Sequence, residues 1–227
     1  MTVQTPRPAS RPESGPQPFL MEYYVSVDGK AVVFDVGRVL FHWDLRHLFA
    51  KLIEDEAELD WFLANVVTEQ WHFQHDAGRP LSEMVPERIG QFPRYESHIR
   101  AYAERFNETI PGAVDGTHVL VERLHARGVP LYCLTNFGDE FWDAFRPTEP
   151  IFDLFEDIIV SGTERVAKPD PRIYEIVEQR SGRAGDLLFF TDDNPANIEA
   201  ARVRGWDAHL FTDAAALQAQ LAASGYL

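Results

Sequence analysis

From Pro111 onward the chain alternates between helical spacing and short apolar runs, and that rhythm restricts the fold more than any other feature. Helical patterns cover about 115–127, 138–145 and 171–181, and others begin near Pro195 and Asp213. Between them lie apolar runs at Val129–Leu134, Asp157–Val160, Asp186–Phe190 and Trp206–Phe211. Runs this short and this apolar read as strands buried on both faces. Strands that alternate with helices predict a parallel sheet with helices on both faces, a Rossmann-like α/β core. Gly128 stops the first of these helices, and Pro195 suits the first turn of another.

One more strand, Ala31–Phe34, comes earlier. Between it and Pro111 the sheet rhythm is interrupted. Leu45, Leu48, Phe49, Leu52 and Ile53 repeat at helical spacing. Trp61, Phe62, Val66 and Val67 make a second apolar stripe, and Ile99, Tyr102, Ala103 and Phe106 a third. Residues 45–110 therefore read as an all-helical cap inserted into a core formed by 22–44 and 111–227. Residues 1–21 stand apart. Five of the 15 prolines fall within the first 18 residues, among Ser, Gln and Arg, with no apolar signal-peptide core. Such a segment is expected to be a disordered, polyproline-like leader.

Composition narrows the partners. Lys and Arg total 21 against 36 Asp and Glu, a formal charge of −15. That charge repels phosphate backbones, so no nucleic-acid partner is expected. No apolar run is long enough to span a bilayer. The one cysteine, Cys133, excludes an internal disulfide and a Cys-based zinc site, and fits a reducing cytoplasm. No Gly-x-Gly-x-x-Gly or Walker-type loop occurs, which leaves dinucleotide and P-loop readings without support.

Open α/β sheets build their sites at the carboxyl ends of the strands. Here those ends offer Asp35, Thr135, Lys168 and the pair Asp192-Asp193. A carboxylate can serve as a nucleophile, clustered carboxylates suit Mg²⁺, and a hydroxyl, a backbone N–H and an ammonium can hold phosphoryl oxygens. The convergence points to phosphoryl transfer on a small phosphorylated molecule.

The four segments also carry a resemblance. Val33-Phe34-Asp35-Val36-Gly37-Arg38-Val39-Leu40, Leu134-Thr135-Asn136, Lys168-Pro169-Asp170-Pro171 and Phe190-Thr191-Asp192-Asp193-Asn194 resemble, in order and spacing, the four motifs of the haloacid dehalogenase superfamily. The insertion resembles the helical cap of its first capped subfamily. The resemblance implies Asp35 as the nucleophile that becomes an aspartyl-phosphate, and Thr135 and the Asn136 N–H as phosphate ligands. It implies Lys168 as the neutralising cation, and Mg²⁺ held by Asp35, the Gly37 carbonyl, Asp192 and Asp193.

Family phosphatases usually carry a second Asp two residues after the nucleophile, as general acid and base. Gly37 stands there, as in a branch that resembles sugar-phosphate phosphatases. His42 and Asp44 are the nearest titratable substitutes in sequence. Two other readings stay open: a metal-free 2-haloacid dehalogenase with the same Asp nucleophile, and a non-catalytic binding protein with a degenerate site. The Asp192-Asp193 pair argues against the first, and the retained Asp35, Thr135 and Lys168 against the second. Asp115-Gly116-Thr117 copies a first-motif tripeptide without a preceding strand and reads as a helix start. His72, His75 and Asp76, within one helical turn, form a weaker metal candidate.

Overall fold

The computed structural model describes residues 29–227 together with Met1. The expected leader therefore lies outside the described residues except for Met1.

A five-stranded, fully parallel sheet forms the centre. Its strands are β1 (Ala31–Phe34), β4 (Leu131–Thr135), β5 (Asp157–Val160), β6 (Leu188–Asp192) and β7 (Asp207–Leu210), in the order β5-β4-β1-β6-β7. The order reverses at β1, whose neighbours β4 and β6 lie on opposite sides, and such a switch point opens a crevice at the strand ends. Helices α6 (Thr117–Ala126), α7 (Asp139–Phe145), α8 (Ser161–Glu164), α9 (Pro171–Ser181), α10 (Pro195–Val203) and α11 (Ala214–Ala223) fill the connections. Expected and observed bounds coincide for β5 and α9. Elsewhere β4 and β6 begin about two residues later than expected. Pro130 has no N–H to donate to a ladder, and Gly185–Leu187 forms a 3₁₀ turn instead. Gly116, at φ +82°, precedes α6, so the Asp115-Gly116-Thr117 segment is a helix start.

A two-residue antiparallel pair, β2 (Phe41–His42) with β3 (Gly112–Ala113), sits where the helical insertion leaves and rejoins the sheet. Between these strands run α1 (Arg46–Phe49), α2 (Glu56–Asn65), α3 (Glu69–Asp76), α4 (Leu81–Gln91) and α5 (Glu96–Glu104). Asp55 and Thr68 cap α2 and α3 with side-chain oxygens that accept from Glu58 N and Trp71 N. The second expected stripe is corrected at one position. Phe62, Val66 and Val67 are buried, but Trp61 is 46% exposed and stacks on Tyr95 at the surface.

Two apolar clusters cover the two sheet faces. One holds Val33, Leu134, Tyr174 and Phe190. The other joins Val32, Phe34 and Cys133 to Phe62, Met84 and Tyr102 of the insertion without a break. Phe106 and Phe141 carry that continuity, with rings parallel and 3.9 Å apart between centroids. Among the described residues, no helix is long and apolar enough to cross a membrane.

Candidate active site

Asp35 follows the last residue of β1, and its amide donates to the Thr191 carbonyl of the neighbouring strand. Register fixes the rest. Phe34 pairs with Cys133 and Thr191, so Thr135 and Asp192 end their strands on either side of Asp35. Lys168 reaches in from the loop before α9. Its Nζ lies 2.8 Å from Asp35 Oδ1 and 2.6 Å from Asp192 Oδ2, and its side chain is almost wholly buried.

These charges hold one another in place. Burial alone would depress the Lys168 ammonium, but Asp192 and Asp35 pull it above the usual lysine value. Asp35 is pushed up to about 7, mainly by burial, with Asp192 and Asp193 adding to the rise and Lys168 opposing it. Burial and Asp192 raise Asp193 as well. Asp192 is fully enclosed. Besides Lys168 it accepts from the Asn194 amide at 2.8 Å and from Asn197 Nδ2 at 3.0 Å to each oxygen.

A cavity of about 190 Å³ opens above this cluster. Of the expected residues, Asp35, Gly37, Asn136, Lys168 and Asp193 line it, and the buried Thr135 and Asp192 end the strands on either side of Asp35. Thr135 Oγ1 is buried with no hydrogen-bond partner among the described residues. The Asn136 side chain does not point into the cavity alone: it pairs with Lys168, accepting from its N–H and donating to its carbonyl.

His42 and Asp44 are exposed and absent from the cavity wall. Asp44 instead accepts from the Arg46 amide at 2.8 Å, just ahead of α1. Gly37 has an ordinary backbone; the left-handed residue is its neighbour Arg38, at φ +60°. Arg38 stacks over Trp43 and pairs with Glu69 at the cavity mouth.

Sequence reasoning passed over two residues. Asn197 sits one turn into α10, where only the fold brings it under Asp192. Asp76 appeared only within a loose metal candidate, yet it is buried and lines the cavity from the insertion side. His72 is no metal ligand here. Its Nδ1 contacts the Tyr102 hydroxyl at 2.7 Å, and its ring lies stacked between Trp43 and Phe106.

Carboxylate oxygens of Asp35, Asp192 and Asp193 all lie within 4.8 Å of one another. Two buried carboxylates sharing one ammonium, with the half-buried Asp193 beside them, leave negative charge in excess, and an all-oxygen donor set suits a hard cation such as Mg²⁺. The residues present fit that ion. Another close group, His75 with Asp139 and Glu140, fits one less well. Glu140 already accepts from the Leu81 amide and Asp139 from the Glu140 amide, at the positive end of α7.

A parallel sheet with a switch point at β1, a helical insertion between β2 and β3 and a carboxylate-lysine cluster at the strand ends define an α/β protein of Rossmann-like architecture. The chain belongs to the haloacid dehalogenase-like hydrolases, whose family model matches residues 30–205. It is 27% identical over 188 residues to the sesquiterpene phosphatase astK of Aspergillus oryzae, covering 82% of this chain and 92% of that one. Two solved structures share the fold. A haloacid dehalogenase family enzyme of Bacteroides thetaiotaomicron, solved with magnesium and inorganic phosphate, matches 81% of this chain and 94% of its own at TM-score 0.62 and 22% identity. A predicted haloacid dehalogenase-like hydrolase of Porphyromonas gingivalis matches 85% and 97% at TM-score 0.65 and 17% identity.

Proposed function

We propose that the chain is a Mg²⁺-dependent phosphatase acting on a small phosphorylated metabolite through an aspartyl-phosphate. The observation that carries this reading is the close set of Asp35, Asp192 and Asp193, the first two buried and paired with Lys168.

In this reading Asp35 is the nucleophile. Its Oδ1 is tied to the Val36 amide at 2.7 Å and to Lys168. Oδ2 is then the atom that attacks phosphorus. Asp35, Asp193 and the Gly37 carbonyl would hold Mg²⁺, with Asp192 close by and engaged by Lys168 and Asn197. The chemistry a bound Mg²⁺ supplies is neutralisation of these carboxylates and of the phosphate. Lys168 neutralises charge on the phosphoryl oxygens, and the Thr135 hydroxyl and Asn136 amide donate to them. Residues 45–110 act as the cap that excludes water.

Opposite the charged floor the wall is apolar, with Trp43, Phe73, Phe106, Ile110 and Phe137. Such a wall suits an organic phosphate that presents an apolar face, whether a ring face of a sugar or a hydrocarbon. The phosphatase named for sesquiterpenes supports the hydrocarbon end of that range. A metal-free attack on a 2-haloacid is disfavoured, because Asp193 in the wall would repel the substrate carboxylate.

Phosphate release should be measured across a panel of sugar, aryl and prenyl monophosphates, with Mg²⁺ and with EDTA, for wild type and Asp35→Asn. Turnover that requires Mg²⁺ and falls to background in the variant is expected. Release that survives EDTA, or survives Asp35→Asn, overturns the reading.

A further inference from the structure

We propose that Asp76, on the helical insertion, is the general acid and base of this site, in place of the carboxylate missing at Gly37. The proposal rests on the phosphatase reading above.

Geometry comes first. Asp76 is the last residue of α3, 5% exposed, and lines the same cavity as Asp35, Lys168 and Asp193. Its Oδ1 is buried without a partner among the described residues. A buried polar atom left unpaired costs stability, and a functional role is one reason for a fold to keep it. The rest of the residue is held firmly. Its carbonyl accepts from Ser161 Oγ at 2.5 Å, and its Oδ2 lies 3.3 Å from His72 Nε2. A free oxygen on a fixed carboxyl, within the cavity of the candidate nucleophile, is how a proton donor is positioned.

Its surroundings favour the acid form. On α3 it faces His72, on α5 Tyr102, and from the core Asp35 and Lys168, with His75 next to it in the chain. Burial and the Asp35 charge push it up to about 8, while the Gly138 amide and Lys168 oppose the rise. His72 is pushed down to about 3 by burial, His75 and Arg38, so it is neutral and leaves the proton with Asp76. A carboxyl protonated at neutral pH can donate, and its value near working pH suits it to take a proton back.

The steps balance. Asp35 Oδ2 bonds to phosphorus as the ester P–O bond breaks, and the Asp76 proton goes to the departing alkoxide. Water then bonds to phosphorus as the aspartyl-phosphate P–O bond breaks, and Asp76 takes the water proton. Inorganic phosphate and the starting enzyme result.

Asp76→Asn removes the proton and keeps the shape. On an alkyl phosphate it should lower kcat by about 10²–10⁴-fold. On 4-nitrophenyl phosphate, whose leaving group needs no proton, a burst of one nitrophenolate per enzyme should precede slow turnover. The wild-type pH profile should fall on its alkaline side, and that limb should vanish in the variant. A ¹³C or infrared titration of the Asp76 carboxyl in the metal-free protein should find it protonated at pH 7. Equal losses on both esters, no burst or an unchanged profile overturn the proposal, as does a carboxyl already ionised at pH 5. If wild type hydrolyses no phosphate ester, the phosphatase reading has failed, and the titration still decides whether Asp76 carries the proton.

Discussion

The Asn136 carboxamide binds both main-chain groups of Lys168, donating to its carbonyl at 3.0 Å and accepting from its amide at 2.8 Å. This clamp ties the end of β4 to the loop that presents the buried ammonium. Asn136 is therefore a positioning residue as well as a candidate phosphate ligand. Asn136→Ala leaves one buried donor and one acceptor without partners, at about 1–3 kcal/mol each as an upper range. Lower kcat with a smaller change in KM is expected, because Lys168 would be displaced from the phosphoryl group rather than lost. Asn136→Asp keeps the acceptor and loses the donor, so it should retain part of the activity. Steady-state kinetics beside chemical denaturation separate the two effects.

Lys168 is held by Asp35 and Asp192, and removing it strands both anions. Lys168→Met fills the volume but leaves two buried carboxylates unpaired. Breaking a buried pair in this way costs about 3–5 kcal/mol. The loss should shrink in acid, where the carboxylates take up protons. Urea denaturation of wild type and variant at pH 5 and pH 8 measures this. A variant equally destabilised at both pH values would show that the ion pairs are not the cause.

Stability of the metal-free protein should fall as pH rises from about 4 to 8 and then level off. Asp35 at about 7 and Asp76 at about 8 bind protons more tightly folded than unfolded, where such a carboxyl has a value of 3.8. Each contributes stability that is complete below the unfolded value and lost as pH passes the folded one. His72 runs the other way: depressed to about 3, it adds stability with rising pH only up to its unfolded value of 6.5. The steepest fall should lie just above that point. Mg²⁺ binds the ionised carboxylates, so its stabilising effect should grow over the same range. Thermal melts with EDTA or Mg²⁺ across pH provide the check, and Asp35→Asn should flatten the metal-free curve.

How much of this was readable from the chain differs by level. Sheet and strand-end residues were, because apolar runs such as Asp157–Val160 end at polar groups that a parallel sheet must bring to one rim. The β2–β3 pair was not, since two residues carry no periodicity. Trp61 was misplaced because helical spacing gives a face but not how far its edge reaches into solvent, and the half-exposed indole lies at that edge, stacked on Tyr95. Asp76 was visible only as a nearby acid. Its place in the cavity is held by contacts such as Ser161 Oγ to its carbonyl, 85 residues away, and no local pattern encodes that contact.

Gly138 marks where the insertion meets the sheet. A Cβ there would lie 2.0 Å from His75 Cδ2 and 2.2 Å from Nε2. His75 is fully buried, and its Nδ1 is held by the Arg79 carbonyl at 2.9 Å, so the ring cannot simply swing aside. Gly138→Ala is thus expected to cost about 1–3 kcal/mol by overpacking. The crowding falls on His75, the residue before Asp76 in α3, so activity should fall as well. Denaturant unfolding tests the first effect and kcat on an alkyl phosphate the second. A variant with wild-type stability would mean that the insertion moves freely over α7.

Gly37→Asp asks whether the site accepts the carboxylate it lacks. The backbone at Gly37 is not left-handed, and a Cβ there meets no atom within 4 Å. Position 37 lines the cavity, so the new side chain starts from a wall position beside Asp35. The fold should survive with a small change in melting temperature. The added charge works in two directions. It joins Asp35 and Asp193, which raises carboxylate repulsion and should strengthen the dependence on Mg²⁺. It also offers a second proton carrier. In the Asp76→Asn background, Gly37→Asp should restore part of the lost rate on an alkyl phosphate and shorten the burst on 4-nitrophenyl phosphate. In the wild-type background it should change kcat far less, because Asp76 already moves the proton. Rescue in the double variant places the missing function at proton transfer. A double variant as slow as Asp76→Asn, although folded and still labelled by phosphate at Asp35, would mean that a carboxylate at position 37 cannot reach the leaving oxygen in this cavity.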